Sequence, residues 1–178
     1  MFRNILVCVD GSPQAHRALT EAIDLATECR ARLTILTAVA RPSAWACTPA
    51  TAAALERLAP ELERESDEIL RSAVERVPES LPVTKILTHN PIRDALKHCI
   101  KTGNHDLVVI GCRGRGAVRA SLLGSVSHYA LYHSNVPVLI VQRDPGADQE
   151  LDQPAAAGGD QPAVPHHRRP AVAGVSRE

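Results

Sequence analysis

The sequence predicts an α/β protein with an open, five-stranded, mainly parallel sheet that carries helices on both faces. Short, unbroken apolar runs, typical of strands buried on both faces, alternate along the chain with segments of helical apolar spacing. Hydrophobic residues make up 44% of the chain and aromatic residues only 2%, so the core must be aliphatic. A repeated β-α alternation of this kind requires right-handed crossovers, which place helices on both faces of the sheet.

The first β-α unit is the most clearly marked. An apolar run over residues 5–9 predicts a buried strand that stops at Asp10 and Gly11. Apolar residues then recur at helical spacing behind Ser12, a candidate N-cap, and Pro13, which suits the first helical position because its missing N–H costs nothing there. The pattern is therefore strand, turn and helix.

The second unit contains a longer helix. Residues 33–38 predict a strand, and an irregular stretch over residues 39–49 follows it. Acidic and basic residues then surround a single apolar stripe, which indicates a long amphipathic helix. Pro78 and Pro82 bracket the end of that helix. The stripe consists of Leu55, Leu58, Leu62, Ile69, Ala73 and Val77.

Three more strands and two more helices complete the predicted sheet. Residues 83–87 form the third strand, and Asn90 and Pro91 are expected to cap and begin the third helix. Residues 106–110 form the fourth strand and run directly into a glycine-marked loop. The fourth helix covers residues 124–134, and the fifth strand covers residues 136–142.

The periodic pattern ends near residue 143. Residues 144–178 hold five prolines and four glycines and no aromatic residue, a Pro/Gly/Ala-rich composition that predicts a disordered tail. We therefore expect one domain over residues 1–143 and a tail over residues 144–178.

Charge and cysteine content exclude several classes of protein. Twenty basic and twenty acidic residues cancel, which disfavours a protein that coats nucleic acid or an anionic membrane surface. No apolar run reaches the roughly 20 residues of a membrane-spanning helix. The five cysteines are scattered and lack CxxC spacing, so neither a disulfide framework nor a zinc site is expected. We expect a cytoplasmic protein.

The loop after the fourth strand carries the strongest chemical signal. Gly111 and Gly114 allow backbone N–H groups to turn inward, and the helix that begins at Gly124 adds unpaired N–H donors and the positive end of its dipole. The hydroxyls of Ser125 and Ser127 are expected to donate to phosphate oxygens. Positive charge surrounds this opening at Arg113, Arg115 and Arg119.

Two other segments are expected at the same edge, because ligands of open α/β sheets bind beyond the carboxyl ends of the strands. These segments are Asp10-Gly11-Ser12, after the first strand, and residues 38–40, after the second. Asp10 has two interpretations, a ligand-binding carboxylate or a simple turn residue. Cys112 is either a redox-sensitive thiol or an inert small side chain.

The chain resembles the universal stress proteins, in particular their ATP-binding branch. The signature of that family, G-x2-G-x9-G-(S/T), is met by Gly111, Gly114, Gly124 and Ser125. Residues 5–12 are similar to the usual start of the family, and residues 136–141 to its usual last strand. The resemblance covers roughly residues 2–142 and implies a Rossmann-like fold of the adenine nucleotide alpha hydrolase type.

The resemblance also implies roles for single residues. Asp10 would lie by the ribose and phosphates or assist a metal ion, and Ala38 would offer backbone groups to adenine. At His89-Asn90-Pro91 the chain departs from the family, in which many members carry a glycine before the proline. The nucleotide-binding set expected from loop and resemblance together is Asp10, Gly11, Ser12, Ala38, Gly111, Arg113, Gly114, Arg115, Gly116, Gly124, Ser125, Val126 and Ser127.

The function expected from this set is that of a stress-response module. It would bind ATP, with Mg²⁺ held through the nucleotide and Asp10, and present its nucleotide state to a protein partner. The resemblance implies a homodimer in which residues 136–142 pair with their own copy. A slow nucleotide phosphohydrolase or adenylyl-transferring enzyme is the alternative; a fast enzyme is not expected, because the chain lacks a Walker lysine and a GxSxG elbow. An empty-loop structural dimer is a third possibility.

Overall fold

The computed structural model describes residues 1–39, 49–114 and 123–142, and only the backbone of residues 49–55. Five strands and four helices alternate in these residues. In chain order they are β1 (Asn4–Cys8), α1 (Pro13–Cys29), β2 (Arg32–Ala38), α2 (Pro49–Glu75), β3 (Val83–Thr88), α3 (Ile92–Thr102), β4 (Leu107–Gly111), α4 (Ser125–His133) and β5 (Val138–Val141).

The five strands form one parallel sheet in the order β3-β2-β1-β4-β5. Val7 of β1 pairs with Ile35 of β2 on one side and with Val109 of β4 on the other. The order therefore reverses between β1 and β4, which is where sheets of this type open a crevice for a ligand. The predicted fold class is confirmed.

Each face of the sheet has its own apolar core. Alternate residues of β1 point to opposite faces, so Ile5 and Val7 contribute to one core and Leu6 to the other. Helices α1 and α2 cover the first face, and α3 and α4 cover the second. Buried alanines of α1 contribute to the first core, and their small side chains allow the helix to approach the strands. These alanines are Ala15, Ala18, Ala22 and Ala26.

The start of α1 agrees with its prediction, whereas the start of α3 does not. The hydroxyl of Ser12 accepts a hydrogen bond from the Ala15 amide at 3.2 Å, and Pro13 occupies the first helical position. Asn90 does not cap α3: the N-cap is Pro91, which has no side-chain cap bond. The Asn90 amide instead donates to the Thr88 hydroxyl at 3.1 Å, so a local turn delays the helix until Ile92.

The apolar stripe of α2 is buried over only part of its length. Ala73 of the stripe is buried, as is Leu70 beside it, whereas Leu58 is 49% exposed. A helix of 27 residues is about 40 Å long, and a strand of seven residues is about 23 Å long. The strands are therefore too short to cover the whole helix, and among its described side chains the buried ones lie from residue 66 onward.

Several predictions fall on residues 40–48, 115–122 and 143–178, which lie outside the described residues. They include the roles of Arg115 and Gly116 and the tail over residues 144–178, and they stay predictions. Among the described residues, no helix is both long enough and apolar enough to cross a bilayer.

Candidate functional site

The turn after β1 and the loop after β4 meet at the carboxyl edge of the sheet. A Cβ added to Gly114 would collide with Oδ2 of Asp10, so the carboxylate lies directly against the glycine backbone. The sheet order brings these two segments together, because β1 and β4 are hydrogen-bonded neighbours. Their meeting point lies at the reversal of strand order.

The turn after β1 is held by its own hydrogen bonds. Oδ1 of Asp10 accepts from the Ser12 amide at 3.0 Å, and Gly11 adopts φ 78°, a left-handed conformation that favours glycine. A Cβ on Gly11 would also lie 3.0 Å from Cδ1 of Ile69 in α2. Asp10 is therefore a turn residue, and its second carboxylate oxygen faces Gly114 across the cleft.

Gly111 joins β4 closely to the start of α1. A Cβ at Gly111 would lie 2.8 Å from the carbonyl carbon of Gln14 and 2.9 Å from its oxygen. These are backbone atoms that cannot rotate away, so only glycine fits without displacement of the helix. Sequence reasoning missed this contact with Gln14, because nothing in the spacing of residues marks it.

The carbonyl of Cys112 closes the base of the loop after β4. It accepts a hydrogen bond from the Gly124 amide at 2.7 Å and another from the Ser127 hydroxyl at 3.0 Å. The Cys112 amide donates to the Val141 carbonyl at 2.8 Å, which fixes the loop to β5. A Cβ at Gly124 would lie 3.3 Å from Cα of Arg113, so the two ends of the loop almost touch.

The predicted role of the Ser127 hydroxyl is not supported by its geometry. Ser127 is 1% exposed, and its hydroxyl has carbonyl partners, that of Cys112 and that of Gly124 at 3.0 Å. Because carbonyls only accept, the single hydroxyl proton is used inside the protein rather than offered to a phosphate. Ser127 therefore closes the loop, and its backbone N–H is the group that remains for a ligand.

The start of α4 has the character expected of an anion site. Gly124 occupies the N-cap position with no side-chain cap bond. The first hydrogen bond of the helix runs from the His128 amide to the Gly124 carbonyl at 2.9 Å. The amides of Ser125, Val126 and Ser127 precede that bond and lie at the positive end of the helix dipole.

Ala38 lies at the same edge of the sheet. It is the last residue of β2 and is half-buried. The following amide, that of Val39, donates to the Thr88 carbonyl at 2.9 Å and is therefore used within the sheet.

Two further features bear on the chemistry of the cleft. Burial, followed by the nearness of Cys99 and Asp10, raises the pKa of the Cys8 thiol to about 12, so this thiol stays protonated at neutral pH. Cys112, inside the loop, is also buried.

His89 lies where the chain departs from the family pattern, before Pro91. Its Nε2 lies 3.2 Å from the Glu63 carboxylate. No group of three metal-ligating side chains occurs in the described part of the chain.

Similarity to known proteins agrees with this geometry. Residues 1–142 match the model of the universal stress protein family. The chain is 33% identical over 150 residues to the universal stress protein YxiE of Bacillus subtilis, a match that covers 80% of this chain and all of YxiE. It spans only 45% of the length of universal stress protein Rv2005c of Mycobacterium tuberculosis, at 32% identity over 139 residues and 78% of this chain.

Solved structures share the fold. Universal stress protein UspA from Lactobacillus plantarum superposes with a TM-score of 0.67 at 24% identity, covering 78% of this chain and 97% of UspA. A universal stress protein complex with cAMP has a TM-score of 0.51 at 26% identity, covering 79% of this chain and 97% of that one. A family member from Archaeoglobus fulgidus in complex with dAMP has a TM-score of 0.56 at 20% identity, over 78% and 97% of the two chains.

The family model spans the whole sheet and the whole cleft, from the strand before Asp10 to the strand after α4. YxiE is matched along its entire length. The chain therefore belongs to the universal stress protein family.

Proposed function

We propose that this protein binds ATP, together with Mg²⁺, in the cleft between the β1 turn and the β4 loop, and acts as a cytoplasmic, nucleotide-dependent stress-response module. One observation carries the proposal: the Asp10 carboxylate lies against Gly114, at the edge where an uncapped helix begins. An acceptor and a set of amide donors at one point suit a ligand that has both hydroxyl groups and anionic groups.

The chemistry divides between the two sides of this cleft. The amides at the start of α4, with the backbone of Gly111 and Gly114, would hold phosphate oxygens through hydrogen bonds and the helix dipole, and Gly124, whose amide donates to the Cys112 carbonyl, would leave room for them. Asp10 would accept hydrogen bonds from the ribose hydroxyls or help to hold Mg²⁺, which prefers oxygen ligands and phosphates. The metal would come with the nucleotide.

Adenine would lie toward the end of β2. Ala38 ends that strand, and its backbone is the group expected to face the base. The solved family members that hold cAMP and dAMP support an adenine nucleotide as the ligand, and the row of amides at α4 favours the longer phosphate chain of ATP.

We further propose a homodimer formed through β5. This strand pairs with β4 on one side only among the described residues, and Leu139 within it is 37% exposed. Pairing of two copies through this edge would remove a row of unpaired backbone groups and cover the apolar side chain. Sedimentation equilibrium at micromolar concentration tests it.

The test of nucleotide binding has two parts. Mass spectrometry of the small molecules released when the purified protein is denatured should find ATP or another adenine nucleotide. Isothermal titration of nucleotide-free protein with ATP, ADP and AMP, each with and without Mg²⁺, should give the tightest binding for ATP with Mg²⁺. A flat titration with all three nucleotides contradicts the proposal.

A measurement of turnover distinguishes the enzyme alternative from the binding module. A binding module should release phosphate from ATP far more slowly than ordinary enzymes, which turn over at about 1–1000 per second. Phosphate release within that range, measured with Mg²⁺ present, would identify the protein as an enzyme.

A further inference from the structure

A groove runs between α3 and α4, away from the nucleotide cleft. It encloses a cavity of about 230 Å³ whose floor is formed by Leu96, Ile100 and Ala130. Ser134 and Asn135, which follow α4, line one end of it, so the groove lies at the C-terminal end of the helix whose other end starts at Ser125. The two sites are therefore at opposite ends of α4.

One rim of the groove is basic. Lys97 and Lys101 line the groove, and Arg93 precedes them along α3 at the same interval of four residues, which places all three on the same side of the helix. All three are exposed, and none forms an ion pair with a described residue. No carboxylate is found among the described residues that line the groove.

The opposite rim is a stack of flat side chains. The rings of Tyr129 and His133 are parallel to within 11°, with centroids 4.3 Å apart. The guanidinium of Arg93 lies 5.8 Å from the centre of the Tyr129 ring, and Nδ1 of His133 donates to the Tyr129 carbonyl at 3.0 Å. These contacts hold the rim in place before a ligand arrives, which lowers the entropic cost of binding.

We propose that this groove is a docking surface for an acidic segment of a partner protein. One large apolar side chain of the partner segment fills the cavity, and carboxylates of the same segment pair with Arg93, Lys97 and Lys101. Charge complementarity supports this occupant, because a row of cations that form no ion pair with the described residues, beside an apolar floor, fits a segment with acidic residues around an apolar one.

The dimensions favour a single side chain over a drug-sized molecule. Ligand pockets for drug-sized molecules typically measure about 300–1000 Å³, whereas an apolar cavity of about 150 Å³ already accommodates benzene. The cavity of 230 Å³ therefore suits one leucine or phenylalanine side chain. Four residues of helix rise about 6 Å, so the cations are spaced like carboxylates one turn apart on a docked helix.

This inference does not depend on nucleotide binding, because no residue of the groove belongs to the proposed cleft. A protein that fails to bind ATP would still be expected to dock the acidic segment. The reverse also holds, so the two proposals fail separately.

The test uses the full chain and a fluorescein-labelled 14-residue peptide with leucine and glutamate at helical spacing. Fluorescence anisotropy at low salt should show saturable binding that is at least about tenfold weaker for the Lys97→Glu, Lys101→Glu double variant. The matched control is the Arg32→Glu, Lys85→Glu double variant, which changes two exposed cations outside the groove and the net charge by the same amount. It should bind within about twofold of the unchanged protein. A peptide with serine in place of leucine should also bind about tenfold more weakly.

Methyl NMR spectra locate the bound peptide and check that the double variant is folded. Shifts should concentrate on Leu96, Ile100 and Ala130 as peptide is added. Equal peptide affinity in the two double variants, or shifts confined to α4 near Ser125, would overturn the proposal. So would tighter binding of single-stranded DNA or of anionic vesicles than of the peptide.

Discussion

The two helices that begin at the cleft start in opposite ways. At α1 the Ser12 hydroxyl caps the Ala15 amide, and the Asp10 carboxylate in turn accepts from the Ser12 amide. At α4 the N-cap is Gly124, with no side chain to accept from the amides that follow it. Among the described residues, the start of α1 has a side-chain acceptor for one of its backbone amides, and the start of α4 has none.

This difference indicates which part of a ligand each side of the cleft would contact. The β1 turn is self-supporting, so its contribution to a ligand is the second oxygen of the Asp10 carboxylate. Among the bonds of the described residues, those from Gly124 and Ser127 to the Cys112 carbonyl hold the α4 start at its base. In the proposed mode of binding, anionic groups of the ligand lie on the α4 side, and hydroxyl groups or a cation on the side of Asp10.

The largest effect is expected where the two sides touch. In Gly114→Val the new side chain would occupy the position of Oδ2 of Asp10 and separate the carboxylate from the loop. We expect a loss of about a hundredfold in ATP affinity by calorimetry, which corresponds to about 2.7 kcal/mol. Gly114 is exposed, so the far-UV circular dichroism spectrum should not change.

The control for this change is Thr84→Val, an isosteric substitution at an exposed position of β3. It should leave both binding and spectrum unchanged. ATP affinity of Gly114→Val within about threefold of the unmodified protein would show that phosphate does not enter between these two segments.

The next effect concerns stability, because Gly111 packs against the first turn of α1. In Gly111→Ala the added carbon would lie 2.8 Å from backbone carbon of Gln14, and this overpacking should lower the free energy of unfolding in urea by about 1–3 kcal/mol. Gly124→Ala is the matched change, with its nearest neighbour at 3.3 Å, and should cost less. Equal losses at the two glycines would contradict the close approach of β4 and α1.

Sequence patterns were sufficient for the fold and for the location of the cleft. β1, β4 and β5 each contain an uninterrupted aliphatic run, and Ser12 and Pro13 mark the start of α1 with local chemistry that the structure retains. Glycine spacing after β4 predicted the loop, because glycine is needed wherever backbone approaches backbone. These signals are local, so a single sequence contains them.

The predictions that the structure does not support failed for different reasons. The hydroxyl of Ser127 was expected at a ligand but lies against the Cys112 carbonyl, and Asn90 was expected to cap α3 but follows a turn made by Thr88. Leu58 was expected in the core, yet the sheet is too short to cover it. The partner of the Ser127 hydroxyl is set by the tertiary fold, which residue spacing does not encode, whereas the Asn90 amide is used in a local turn that competes with the cap.

The two interpretations of Asp10 are separated by a pair of substitutions. Asp10→Asn keeps an oxygen that can accept from the Ser12 amide but removes the charge, so stability should hold while affinity for ATP with Mg²⁺ falls about tenfold, or 1.4 kcal/mol. Asp10→Ala removes the turn bond as well and should also lower the free energy of unfolding by about 1 kcal/mol. Unchanged nucleotide affinity in Asp10→Asn would leave Asp10 as a turn residue alone.

The smallest effects test the contrast between the two helix starts most directly, because each variant removes one hydroxyl from one helix start. Ser12→Ala removes the cap of α1 and should lower the free energy of unfolding by about 1 kcal/mol while ATP affinity stays within about twofold. Ser125→Ala removes an exposed hydroxyl at the uncapped start of α4, so the free energy of unfolding should change by less than about 0.5 kcal/mol. Its ATP affinity should fall about fivefold, the equivalent of one hydrogen bond of about 1 kcal/mol. Urea unfolding and calorimetry on the same samples give both quantities, and the opposite assignment of losses would mean that α1, not α4, receives the phosphates.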